Sequence, residues 1–314
     1  METIQLVQQI LFVILAVAAI WLFAKNITKI RRNILLGRDE DYSDNKPLRW
    51  RNVFLLAFGQ KKMFRKPLVA VLHFFIYAGF IIINIEVLEI VLDGGLGKHR
   101  LFANALGGFY AFLIDGFEIL AVLVLSGCVV FLIRRNILKL KRFSSHDLDG
   151  WPRSDANYIL ITEIFLMTFF LTMNTTDRAL QLRGYENYHD VGNFLISGFL
   201  SSTLTSTSAS TATLIGIERT CWWLHIIGIF AFLNYLPYSK HLHILLAFPN
   251  AYYTRLQPQG KMNSHTGASL INPLIPPNPG SSSPKSRFYM NFIFFIQAVN
   301  WSIHFMGLVL LFMP

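Results

Sequence analysis

Long apolar runs constrain this chain most, because such runs are stable as helices across a lipid bilayer. A hydrocarbon core of about 30 Å needs about 20 apolar residues in a helix. Six runs approach that length, and they lie at residues 4–24, 67–92, 111–133, 158–173, 217–236 and 288–312. Hydrophobic residues make up 53% of the chain and charged residues 15%, whereas soluble domains are about 25% charged. The runs therefore predict an all-α integral membrane protein with a five- to six-helix transmembrane bundle.

The runs also suggest how the chain is divided. The first lacks a basic start and a small-residue cleavage site, so we expect it to remain as a helix rather than serve as a signal peptide. Residues 1–261 are predicted to form a five-helix bundle. Residues 262–287, rich in Ser, Pro and Asn, are predicted to form an irregular linker, and residues 288–314 a further transmembrane helix.

Lysine and arginine alternate between the loops and predict an orientation. Segments 25–66, 134–156 and 239–287 hold 12, 6 and 5 of them, whereas 93–110 and 174–219 hold 2 and 3. Cytoplasmic loops carry the excess of basic residues. The N-terminus is therefore predicted to lie outside a multi-pass membrane protein. This alternation explains the net charge of +10 without a nucleic-acid partner.

The two cysteines exclude some cofactor and fold classes. Cys128 and Cys221 stand alone in or beside apolar runs, with no CxxC pair. Neither a disulfide scaffold nor a self-contained iron–sulfur site fits this pattern.

Histidines inside membrane spans are costly and suggest function. His225 and His243 lie eighteen residues apart, which in one continuous helix is five turns and a rise of about 27 Å. They would then share one face. His73, early in the second span, is predicted at the depth of His243. Two imidazoles facing each other at one depth suit a bis-histidine haem b, and the alternative is that each is a lone, hydrogen-bonded interfacial histidine.

A resemblance is carried by three segments late in the chain. Residues 222–228 (WWLHIIG), 234–243 (NYLPYSKHLH) and 247–250 (AFPN) resemble the last haem-bearing helix of the nitrate reductase gamma subunit superfamily. The likeness in SKHLH and AFPN is closer to the membrane parts of heterodisulfide-reductase-like and electron-transfer-flavoprotein-linked menaquinone oxidoreductases. It covers about residues 1–261.

The resemblance implies a nitrate reductase gamma subunit-like bundle that binds one or two haem b groups. His73 and His243 match the ligands of an inner haem, and His225 matches one ligand of an outer haem. The family's second outer histidine is replaced by Ile83. His304, in the predicted sixth helix, and His99 are candidate substitutes.

The same resemblance implies a cytochrome b subunit in a bacterial-type inner (cytoplasmic) membrane. It would transfer electrons between the quinone or menaquinone pool and a cytoplasmic partner. That partner would be an iron–sulfur, heterodisulfide-reductase-like subunit or an electron-transfer flavoprotein.

Acidic residues near the spans leave other interpretations open. Glu86, Glu89 and Glu118 are predicted near the outer ends of helices and Glu163 nearer the inside. They could relay protons in quinone chemistry, or they could cap helices and pair with Lys98 or Arg100. The alternative functions are a proton-coupled transporter and a non-redox membrane anchor subunit.

Overall fold

The computed structural model describes residues 2–37, 41–59, 64, 67–138, 150–185, 188–205 and 209–256. Its helices are α1 (Glu2–Ile34), α2 (Lys46–Asn52), α3 (Pro67–Leu96), α4 (Leu101–Leu106), α5 (Gly108–Leu132), α6 (Trp151–Leu182), α7 (Leu195–Thr205), α8 (Thr211–Tyr235) and α9 (Leu242–Tyr252). Turns of π-helix extend α2 to Phe58 and α5 to Ile137, and a 3₁₀ turn, Leu236–Tyr238, follows α8. No strand is present in these ranges.

Five helices of the described residues are long and apolar enough to cross a membrane. They are Thr3–Ile34, Pro67–Leu96, Gly108–Ile137, Trp151–Leu182 and Thr211–Tyr238. The prediction of an all-α membrane bundle is therefore confirmed. The predicted linker at 262–287 and the sixth helix at 288–314 lie outside the described residues.

The fourth span is longer than the apolar run predicts, since α6 continues through residues 174–182. Thr172, Thr175 and Thr176 donate their hydroxyl hydrogens to backbone carbonyls one turn earlier, at 2.8, 2.7 and 2.9 Å. These bonds satisfy the hydroxyls inside the helix. The polar residues after residue 173 therefore end the apolar run, but the helix continues through them.

The chain divides into two compact units. The first comprises residues 1–28 and 63–242. In it α6 packs against α5, α7 and α8, and α3 packs against α5. Phe12 of α1 is 1% exposed and contacts the rings of Trp222 and Phe230 of α8.

The second unit comprises residues 29–62 and 243–314, of which part is described. Val53 and Ala57, in the π-helical extension of α2, pack against Ala251 and Tyr252 of α9. Arg49 donates hydrogen bonds to the carbonyls of Tyr252 and Thr254, at 2.9 and 3.1 Å. A guanidinium thus accounts for the carbonyl of the last residue of α9 and for one just beyond the helix.

Small residues set how closely the spans approach. A Cβ built on Gly79 of α3 would overlap Val124 Cγ2 of α5, and one on Gly228 of α8 would lie 2.8 Å from Leu166 Cδ2 of α6. Both glycines therefore serve close helix packing.

Replacing Gly79 with alanine is expected to destabilise the α3–α5 contact. The added methyl group overpacks the interface, which typically costs about 1–3 kcal/mol. Thermal unfolding of the purified protein in detergent measures the effect. Gly116→Ala on α5 is the matched control, because a Cβ there meets nothing within 4 Å. Equal unfolding temperatures for the two variants would contradict this packing.

Candidate functional site

A buried arginine organises the polar residues at the end of α3. Arg100 has a left-handed backbone, φ 54°, just before α4 begins, and only 7% of it is exposed. Its guanidinium donates to Asp177 Oδ2 at 3.0 and 2.8 Å and to Glu86 Oε1 at 3.1 Å. It also donates to Asn174 Oδ1 at 2.7 Å. One side chain thereby joins α3 to α6.

Three more carboxylates of this region accept hydrogen bonds from backbone amides. Glu89 accepts from the amide of Phe102, and Asp93 accepts from the amides of Arg100 and Leu101. Glu118 of α5 accepts from two amides at the start of α7, those of Ile196 and Ser197. The acids therefore hold both short helices, α4 and α7, against the long ones.

The charge of Arg100 is permanent in this setting. Burial by itself lowers the pKa of a guanidinium, but Tyr110, Asp177, Glu86 and Glu89 around it raise the pKa well above its ordinary value. The interpretation of Glu86 as a partner for Arg100 is confirmed. Sequence reasoning missed Asp177 and Asn174, because both lie beyond the apolar run at 158–173.

A large cavity opens beside Arg100 in the first unit. We name it the outer cavity because it lies at the end of α3; the name does not refer to a side of the membrane. It has a volume of about 960 Å³. Gln9 of α1, Asp93 of α3, His99, Tyr188 and Trp222 of α8 are among its lining residues. Aromatic faces thus stand beside hydrogen-bonding and charged groups, which is typical of ligand pockets.

A second, smaller cavity lies inside the same unit. We name it the inner cavity because it lies among the helices; the name does not refer to a side of the membrane. It has a volume of about 80 Å³ and is lined mostly by apolar side chains. Its polar lining comes from Asn84, Glu163 and His225. Ile83, also in its lining, is 5% exposed.

His225 is held in one tautomer at the inner cavity. It is 1% exposed, and its Nδ1 lies 3.0 Å from the carbonyl oxygen of Leu166. Because a carbonyl only accepts, Nδ1 carries the hydrogen and a neutral ring keeps its lone pair on Nε2. Nε2 has no hydrogen-bond partner among the described residues, which fits an imidazole that supplies one axial ligand to an iron.

Among the described residues that line this cavity, His225 is the one histidine. Ile83 has no donor atom, and the structure brings it to the same cavity as His225. His99 does not line it. Its Nε2 lies 3.3 Å from Asp177 Oδ1, and its ring contacts Tyr188. A bis-histidine centre is therefore not met at the inner cavity by the described residues.

The other predicted ligands belong to different elements of the chain. His73 lies in α3 in the first unit, and His243 lies in α9 in the second. His304 falls outside the described residues. No continuous helix joins His225 to His243, because α8 ends at Tyr235 and α9 begins at Leu242. Proline has no amide hydrogen for the helix, and Pro237 lies in the break, so the shared-face argument loses its basis.

Comparisons with known proteins point to redox relatives. The chain is 26% identical over 255 residues to "Probable iron-sulfur-binding oxidoreductase FadF" of Bacillus subtilis (strain 168), covering 81% of this chain and 34% of the relative. It is 25% identical over 244 residues to "EtfAB:quinone oxidoreductase" of Syntrophomonas wolfei subsp. wolfei, covering 76% of this chain and 31% of that protein. No protein-family model matches the chain, and no solved structure matches it significantly. The chain thus spans about a third of the length of two relatives that are both named as oxidoreductases.

Replacing Asp177 with asparagine is expected to destabilise the bundle strongly. Arg100 and His99 lose the carboxylate that accepts their hydrogen bonds, and a hydrogen bond to a charged group typically contributes about 1.5–3 kcal/mol. Chemical unfolding in detergent measures the loss.

Asp44→Asn is the matched control for this prediction. Asp44 also pairs with a buried arginine, Arg49, but its own side chain is 62% exposed. A pair of this kind is worth about 0–1 kcal/mol. An Asp177 variant as stable as the Asp44 variant would show that Arg100 does not depend on Asp177.

Proposed function

We propose that this chain is a membrane cytochrome b subunit that transfers electrons between a partner protein and the quinone or menaquinone pool. The observation that carries the proposal is the similarity of most of the chain to two oxidoreductases. One is named as iron–sulfur-binding and the other as acting between EtfAB and quinone. The proposed partner is accordingly an iron–sulfur subunit or an electron-transfer flavoprotein.

Haem b is the proposed cofactor, and when bound it supplies one-electron transfer within the membrane. We propose His73 and His243 as ligands of one haem, and His225, with its available Nε2, as a ligand of a second. The Leu166 carbonyl orients His225 by accepting the Nδ1 hydrogen. Such a contact sets the ring orientation and raises the basicity of the other nitrogen. The nitrate reductase gamma subunit-like identity of the bundle belongs to the same proposal.

The outer cavity is the proposed quinone site. Tyr188 and Trp222 provide flat faces for a ring, while Gln9 and His99 provide hydrogen-bonding groups for its two oxygens. Burial and the neighbouring Glu218 raise the pKa of Tyr188 well above its ordinary value, so its hydroxyl stays protonated. That hydroxyl donates to Glu218 at 3.0 Å, which fixes the ring at the cavity wall.

Spectroscopy of the purified protein tests the haem proposal. Reduced-minus-oxidised spectra are expected to show a b-type band after expression with haem available. Alanine at His73 or His243 is expected to remove the signal of one haem, and His225→Ala that of the other. His189→Ala is the control, since that histidine is exposed in the outer cavity and is not a proposed ligand. A wild-type protein without any b-type band would contradict the proposal.

Filling the outer cavity tests the quinone site. Ala105 lines it, and tryptophan there is expected to raise the KM for a short-chain quinone about tenfold, equivalent to about 1.4 kcal/mol of binding. Electron transfer from a chemical reductant to the quinone provides the assay. Leu106→Trp is the control, because Leu106 is exposed and is not part of the lining. Equal KM values for both variants would place the quinone elsewhere.

A proton-coupled transporter is the alternative function, and the buried carboxylates around Arg100 are the observation that favours it. Charged groups inside membrane segments often mark proton or ion pathways. Proton flux into vesicles that contain haem-free protein would support the transporter and count against the redox role.

A further inference from the structure

The carboxylates around Arg100 have an almost complete set of hydrogen bonds. Each of the two oxygens of Glu89, Asp93, Glu118 and Asp177 accepts at least one bond from a described donor. Glu86 differs. Its Oε1 accepts from Arg100 Nη1 at 3.1 Å, but its Oε2 is buried with no partner among the described residues. One of ten oxygens is therefore left without a donor.

The same groups also carry an excess of negative charge. All five acids are at most 9% exposed, and the cations in contact with them are Arg100 and, when protonated, His99. Several net negative charges in a low-dielectric region are far costlier than a neutral acid with an unpaired hydroxyl. At least one carboxyl of the cluster therefore holds a proton.

Glu86 is the acid at which a proton displaces no existing bond. A proton on Glu89, Asp93, Glu118 or Asp177 would occupy an oxygen that already accepts from an amide, a hydroxyl, an imidazole or a guanidinium. On Glu86 Oε2 it displaces nothing, and Oε1 still accepts from Arg100.

The charged and titratable groups that interact with Glu86 come from three places. They are Glu89 on α3 itself, Arg100 after α3, and Tyr110 and Glu118 on α5. Asp93, His99, Asn174 and Asp177 belong to the same cluster through their bonds to Arg100 or to one another. Glu218 and Arg219 of α8 pair with each other nearby. Arg100 donates two hydrogen bonds to Asp177 and one to Glu86. Its positive charge therefore offsets the charge of Asp177 more than that of Glu86.

We propose that Glu86 is a proton-binding site of the bundle, neutral at physiological pH, with its proton on Oε2 and in exchange with the outer cavity. Arg100 contacts Glu86 and also lines that cavity, together with Asp93 and His99. A residue in direct contact with Glu86 is therefore also part of the cavity wall. The proposal depends on this cluster alone, and neither haem nor quinone needs to bind for it to hold.

Infrared spectroscopy of the purified wild-type protein tests the proposal directly. At neutral pH we expect a carbonyl stretch of a protonated carboxylic acid, and we expect it to shift to lower frequency in D₂O. Glu86→Gln is expected to remove this component, and Glu86→Asp to move it. Glu89→Gln is the control, since both Glu89 oxygens accept hydrogen bonds, and the component should persist in that variant.

Glu163 needs a separate variant because it is also buried and lines the inner cavity. Glu163→Gln is expected to leave the Glu86 component unchanged. A Glu86→Gln spectrum identical to that of the wild type would overturn the proposal. A Glu86 component that does not shift in D₂O would overturn the exchange with the cavity. Wild-type spectra and Glu86→Asp keep the test decisive if Glu86→Gln does not fold.

Discussion

The packing around the C-terminal end of α3 depends on the hydrogen bonds and ion pairs of Arg100. A guanidinium this deeply buried is tolerated only if its charge and its donors are satisfied. Asp177, Glu86 and Asn174 satisfy them from α6 and α3. The cost of leaving that charge unpaired therefore favours an arrangement in which Arg100 links α3 to α6.

The outer and inner cavities of the first unit differ in chemistry. The outer cavity is large and lined by charged and aromatic groups at the end of α3, whereas the inner cavity is small and mostly apolar. His225, in the inner cavity, presents an available ring nitrogen, and the outer cavity presents hydrogen-bonding groups beside flat rings. The first feature bears on the proposed haem ligand, and the second on the proposed quinone site.

Much of the fold could be predicted from the apolar runs, because a segment that crosses the bilayer as a helix must be long and predominantly apolar. All five predicted spans within the described residues are present as helices. The end of the fourth span could not be predicted. The free-energy cost of burying Asp177 depends on its bond to Arg100, which is 77 residues away in the chain. The candidate site was predictable only in part. His225 and Ile83 do line one cavity, but the face shared by His225 and His243 was not predictable, because the helix is interrupted between them.

Sequence alone thus determined that this chain is a helical membrane protein, that acids near the ends of its spans could relay protons, cap helices or pair with Lys98 or Arg100, and that its histidines are candidates for haem ligands. These properties follow from hydrophobicity and residue type, which are local. Only the tertiary structure decided which acid pairs with Arg100, that Glu86 keeps an oxygen without a donor, and that Leu166 orients His225. Those outcomes depend on distances between helices far apart in the chain, and packing rather than composition sets such distances.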